Sequence, residues 1–198
     1  MEIAQRFNHT RNEFFRRRAE LTVLQKVTIA LAMAVLTGIL AQVKVYLPFT
    51  PIPITLQTFA VLLSGVVLGR WWGGASMAVY AIGGIVGIPW FAGAASGFGA
   101  TFGYLVGFVL ASLAVGYFVD MYSWARRFGG MLLVMCVVSL ALIYIPGVIW
   151  LGMWLAFSGN AVSPSTLFGM GLAPFIIGDV VKAIIAAGTG YAVIPKKL

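Results

Sequence analysis

Charged side chains are scarce in this sequence. They make up 9% of its 198 residues, only five of them acidic, against 61% apolar residues and a mean hydropathy of +1.00. A soluble domain carries about 25% charged residues, so this chain has too little polar surface to face water on all sides. There is one cysteine, Cys136, inside an apolar run, which excludes an intrachain disulfide and reads as a small core hydrophobe. The single histidine, His9, lies in the polar N-terminal stretch. That excludes a histidine-dependent triad or a multi-histidine metal cluster within the apolar part. A GxxxxGK[ST] phosphate loop is also lacking, so the chain holds no nucleotide site of that kind.

What remains is a series of apolar runs of about membrane length. At about 20 residues per span, the chain accommodates six helices with short connections as a single domain. We expect an all-α integral membrane protein with a basic segment at 1–26 and a six-helix domain over 27–198. The basic segment, with Arg6, Arg11, Arg16, Arg17, Arg18 and Lys26 among Phe7, Phe14, Phe15 and Leu21, is either an amphipathic helix on the inner membrane face or a solvated tail that fixes orientation. The spans are expected at about Val27–Val43, Ile54–Gly69, Gly74–Ile88, Ala100–Val119, Met131–Leu155, and from Leu167 or Pro174 to Ile194. Pro48, Pro51 and Pro53 impose an extended first connection. Pro146-Gly147 should kink the fifth span. The stretch from Gly87 to Gly99 has no charge. Backbone so apolar and irregular is tolerated at membrane depth only when buried or lining a cavity, so this loop should fold inward and cap a site.

Six spans place both termini on one side. Eleven of the thirteen basic residues then fall there: Arg6, Arg11, Arg16, Arg17, Arg18, Lys26, Arg70, Arg126, Arg127, Lys196 and Lys197. Lys44 alone lies on the other side, and Lys182 is within the membrane. The positive-inside rule puts both termini in the cytoplasm. The net charge of +8 is thus a topology signal, not a nucleic-acid footprint.

Asp179 and Lys182 interrupt the last apolar run. Each costs about 2.5–3.5 kcal/mol at helix depth on insertion scales, and three residues apart they share a helix face. The pair either binds a ligand or neutralises itself as packing; the first reading is preferred, because such charges generally face a cavity. The pair falls in the outer half of the membrane. An outward-facing pocket follows, with Gln57, Tyr104, Trp90, Phe91 and Tyr80 around the pair and Trp154 as a further wall. Ala30 and Ala34 form a small-residue face on the first span, either for internal packing or for another protein. Gly99, Gly103 and Gly107 form a similar face on the fourth span.

Several stretches resemble one family. They are Pro48-Phe-Thr-Pro-Ile-Pro53-Ile-Thr-Leu-Gln57, Gly87-Ile-Pro-Trp-Phe-Ala-Gly93, Gly103-Tyr-Leu-Val-Gly107-Phe and Gly178-Asp179-Val-Val-Lys182. Together these are similar to the BioY family, the biotin-specific S components of energy-coupling-factor (ECF) transporters. The resemblance implies a multi-pass protein of a prokaryotic plasma membrane, not an enzyme and without a cofactor, that captures biotin from outside. It further implies partnership with a transmembrane T component and two cytoplasmic ATPases. It assigns Asp179 and Lys182 to the biotin site and Ala30 and Ala34 to docking of the T component. In one motif the chain differs, with Ala100-Thr-Phe-Gly-Tyr104 in place of Pro-Thr-Gly-Gly-Tyr. The alternatives are an S component for another small vitamin or a small-solute channel. A channel would need a polar stripe on several helices, and an intramembrane enzyme would need a nucleophile with a base.

Overall fold

The computed structural model describes residues 20–195, all helix and loop apart from one short ribbon. Most of the basic segment and the pair Lys196-Lys197 lie outside these residues. Helix α1 (Val23–Gln42) starts earlier than Val27 because Thr22 caps it. The Thr22 hydroxyl accepts from the Gln25 N–H at 3.3 Å, and the Gln25 side chain accepts from the Thr22 N–H at 3.0 Å. This reciprocal box satisfies two otherwise unpaired donors.

The proline-rich connection is extended, as its composition requires. Its ends form the two-stranded ribbon of β1 (Lys44–Val45) and β2 (Ile54–Thr55), with Lys44 opposite Thr55. Helix α2 (Gln57–Ile85) occupies the second and third expected spans without an intervening loop. It breaks at Gly69, whose φ of 76° and ψ of 178° are non-helical. Beyond the break the chain doubles back. Gln57 bonds to Tyr80, and a Cβ on Gly73 would meet the Ser64 carbonyl and the Gly65 Cα. The limbs 57–68 and 70–85 are therefore antiparallel, with one glycine as the turn.

Helix α3 (Phe102–Met121) packs between these limbs and the following helices. The Ser64 and Ser112 hydroxyls meet at 2.7 Å. Gly116 abuts the backbone of Gly69 and Arg70 so closely that a Cβ would collide with it. Asp120, expected in a polar turn, instead ends α3, where its carboxylate accepts from the Arg70 N–H at 3.1 Å. Arg126 is buried too. Its guanidinium donates to the carbonyls of Val119 and Asp120, satisfying acceptors that a helix C-terminus leaves open.

The expected fifth span is helical from Phe128 to Phe157: α4 (Phe128–Val138), a π-helical turn (Ser139–Ile143) and α5 (Tyr144–Phe157). The wide turn precedes Pro146, which has no N–H to offer the Leu142 carbonyl. Gly107 of α3 packs against that carbonyl, and Gly103 against the Pro146 carbonyl and Trp150. The expected glycine face is thus real at Gly103 and Gly107, while a Cβ on Gly99 would touch nothing. The last apolar region divides into α6 (Pro164–Gly171), a 3₁₀ turn (Ala173–Phe175) and α7 (Ile176–Val193). Among the described residues, four helical stretches are long and apolar enough to cross a membrane: Val23–Gln42, Phe102–Met121, Phe128–Phe157 and Pro164–Val193.

Ala30 and Ala34 are only 4% and 0% exposed, on the side of α1 that packs along α2. In this structure they serve internal packing. The outward face of α1 instead carries Leu24, Leu31, Val35 and Ile39. A larger residue at Ala34 should overpack the interface at a cost of about 1–3 kcal/mol. Ala34→Leu is expected to lower the thermal midpoint and to impair ligand binding and uptake together. Normal binding with blocked uptake would support the docking role.

Candidate functional site

The ends of the helices opposite the Gly69 turn enclose a cavity with about 570 Å³ of empty space, including its open mouth. Asp179 and Lys182 both line it, each 7% exposed, and form an ion pair. The other walls are mostly apolar: Ile52, Pro53, Phe91, Ala92, Leu105, Phe108, Ile143 and Phe175.

Each charge has further partners. The Lys182 ammonium donates to the Thr55 carbonyl at 2.8 Å, at the end of the short ribbon. The Asp179 carboxylate accepts from the Tyr144 hydroxyl at 2.6 Å. Asp179 also lies in the first turn of α7, where the positive end of the helix dipole favours an anion. The break between α6 and α7 is what places a helix N-terminus at this depth. A buried pair equipped this way still offers unused lone pairs and protons to a polar ligand.

The other expected site residues divide into two groups. Gln57, Tyr104 and Phe91 line the cavity. Tyr104 contributes its ring, because its hydroxyl is engaged with the Gly171 carbonyl at 2.6 Å. Gly147 makes room for that ring, since a Cβ there would collide with it. Trp90 and Tyr80 are near the cavity but do not line it. Tyr80 is fully buried behind Gln57, and its hydroxyl accepts from the Gln57 amide at 2.7 Å. Trp90 stacks obliquely on Tyr80, with ring centroids 5.3 Å apart, and its indole N–H donates to the Tyr80 carbonyl at 3.0 Å. Trp154 is likewise packed against the core rather than lining the cavity. Lys44 is turned to the Tyr46 ring, 5.6 Å from its centroid, so Lys182 is the only cation among the lining residues.

Sequence reasoning missed Tyr144 and the Thr55 carbonyl. Tyr144 sits just before Pro146, so the expected kink was a signal that this region approaches the site. No pattern pairs it with Asp179, 35 positions away. Gly83 and Gly84 are seats for the capping loop: a Cβ on Gly83 would strike the Trp90 indole and one on Gly84 the Phe91 ring. Gly38 of α1 also faces Trp90. Phe91 folds inward, 5% exposed, because these glycines leave space for the loop's two aromatic rings, while most of residues 86–96 are exposed.

A family model described as the BioY family matches residues 10–196. A probable biotin transporter BioY of Methanothermobacter thermautotrophicus is 48% identical over 140 residues, covering 68% of this chain and 89% of the relative. The biotin transporter BioY of Thermotoga maritima is 33% identical over 148 residues, or 71% of this chain and 80% of the relative. Among solved structures, the S-component for biotin from an ECF-type ABC transporter has the same fold, with a TM-score of 0.74. It is 23% identical, and the match covers 86% of this chain and 93% of that one. The relatives are transporters, in line with the expectation of a transport protein and not an enzyme. With nearly its whole length matched and relatives of this identity, the chain belongs to the BioY family.

Proposed function

We propose that this chain is the biotin-capturing S component of an ECF-type uptake transporter. One observation carries the reading: a buried, hydrogen-bonded Asp179–Lys182 pair in a mostly apolar cavity. Biotin matches that chemistry. Its ureido ring has two N–H donors for Asp179, its thioether ring is apolar, and its ureido carbonyl or its carboxylate tail is a partner for Lys182. Phe91, Phe108 and Phe175 supply apolar surface for the bicyclic core. The carboxylate tail reaches either the cavity mouth or Lys182.

The helix directions support a six-crossing topology. Counting each limb of α2 as one crossing, with α1, α3, α4–α5 and α6–α7, the chain passes through the membrane six times. Lys26, Arg70, Arg126 and Arg127 gather at the end away from the cavity, where Asp120 meets Arg70. The positive-inside rule makes that end cytoplasmic, so the cavity opens outward in the plasma membrane. The T component and two ATPases would supply the energy, since the sequence has no phosphate-binding loop.

Calorimetry on the purified protein tests the reading. Saturable biotin binding at one site per chain is expected, together with biotin carried through purification. Heat with thiamine or riboflavin but none with biotin would move the chain to another specificity. Flux through liposomes containing this chain alone would favour a channel.

A further inference from the structure

The loop between α2 and α3 divides the cavity from a second one above it. The upper cavity, about 560 Å³ of empty space including its opening, is lined by Tyr46, Pro51, Ser96 and Gly99 among others, and it shares Pro53, Phe91, Ala92 and Thr101 with the lower one. Phe91 and Ala92 therefore form part of the partition that a ligand entering from above must displace.

One side chain outside both cavities holds this partition. Gln42, the last residue of α1, is exposed and lines neither cavity. Its Nε2 donates to the Phe91 carbonyl at 3.0 Å and the Trp90 carbonyl at 3.2 Å, and also to Gly38 of its own helix at 3.1 Å. Its Oε1 accepts from the Ala94 N–H at 3.1 Å. Ala94 is the one non-glycine among the described residues with positive φ, at 57°, a conformation that needs outside support. The Trp90 carbonyl is also the end of a polar chain from the site. Lys182 donates to the Thr55 carbonyl, the Thr55 hydroxyl to Gln57 Oε1 at 2.9 Å, Gln57 to Tyr80, and the Tyr80 hydroxyl to the Trp90 carbonyl at 3.3 Å. The latch and the ligand-facing groups thus share one acceptor.

Resting on the biotin-capture reading, we propose that Gln42 is a positioning residue that latches the 90–95 turn over the cavity, so that retention of ligand depends on an amide that never touches it. The chain through Gln57 and Tyr80 is the route by which occupancy of the site changes the hold on Trp90. Because Gln42 is exposed at a helix end, Gln42→Leu and Gln42→Ala leave the core intact.

The test has two readouts on the full chain in detergent. In ligand-free protein, amide hydrogen exchange over 90–97 is expected to be at least tenfold faster in both variants, with α3 and α7 unchanged. With radiolabelled biotin, both should release ligand at least tenfold faster, while the melting of the ligand-free protein stays that of the wild type. Unchanged exchange overturns the latch. Faster exchange with an unchanged release rate overturns its role in retention. A wild type that binds no biotin overturns the functional reading, and the exchange result still judges the latch.

Discussion

Replacing Lys182 by methionine is expected to weaken biotin binding a hundredfold or more and to destabilise the protein. The variant leaves the Asp179 carboxylate buried with only the Tyr144 hydroxyl beside it. Removing one partner of a buried pair costs about 3–5 kcal/mol. Asp179→Leu should fail in the mirror-image way, by leaving an uncompensated ammonium on the Thr55 carbonyl. The combined variant separates binding from packing. Replacing a whole buried pair with apolar residues is often neutral or stabilising, so Asp179→Leu with Lys182→Met should regain thermal stability while biotin heat remains absent. Wild-type affinity in the double variant would reduce the pair to packing.

A second large effect is expected at the α2 turn. Gly69 combines φ 76° with ψ 178°, a region essentially restricted to glycine and costing a side-chain-bearing residue about 1–3 kcal/mol. The turn cannot shift to relieve the strain, because Gly116 of α3 abuts the same backbone and Asp120 is bonded to Arg70. Gly69→Ala should therefore lower the thermal midpoint, by about 2–4 °C per kcal/mol for a chain of this size. Ligand binding should weaken with it, because Gln57 and Tyr80 bond across the two limbs that the turn joins. Gly129→Ala is the control, since a Cβ there meets nothing. A Gly69→Ala protein that melts with the wild type would mean that the limbs are held together without the turn.

Much of the protein was legible in the sequence because membranes impose strict composition and period. The apolar runs gave helix positions to within a few residues for α1 and α3. The proline cluster gave the extended connection, and Pro146 marked the irregular region in the fifth helix. Asp179 and Lys182 stood out because a charge in lipid is costly, and their spacing alone put them on one face. Gln57, Tyr104 and Phe91 were placed at the site on polarity, aromaticity and position near the outer end. Trp90 and Tyr80 were displaced from the lining because aromatic residues serve equally as walls and as supports behind walls.

The remainder was decided by tertiary structure, and the reason is distance along the chain. An i, i+3 pair is a local fact, but its stabilising partners lie at Tyr144 and Thr55, on helices and strands whose relative rotation no local pattern encodes. The same rotation decides which side of α1 is buried, so Ala30 and Ala34 proved internal although their spacing suits a partner equally well. It also decides which glycines meet a ring: Gly83 and Gly84 seat Trp90 and Phe91, while Gly99 meets nothing. The sequence by itself determined that two opposite charges must be sheltered in an apolar bundle, since lipid leaves no other solution. Only packing decided what shelters them: a tyrosine, a backbone carbonyl and a loop held from outside by Gln42.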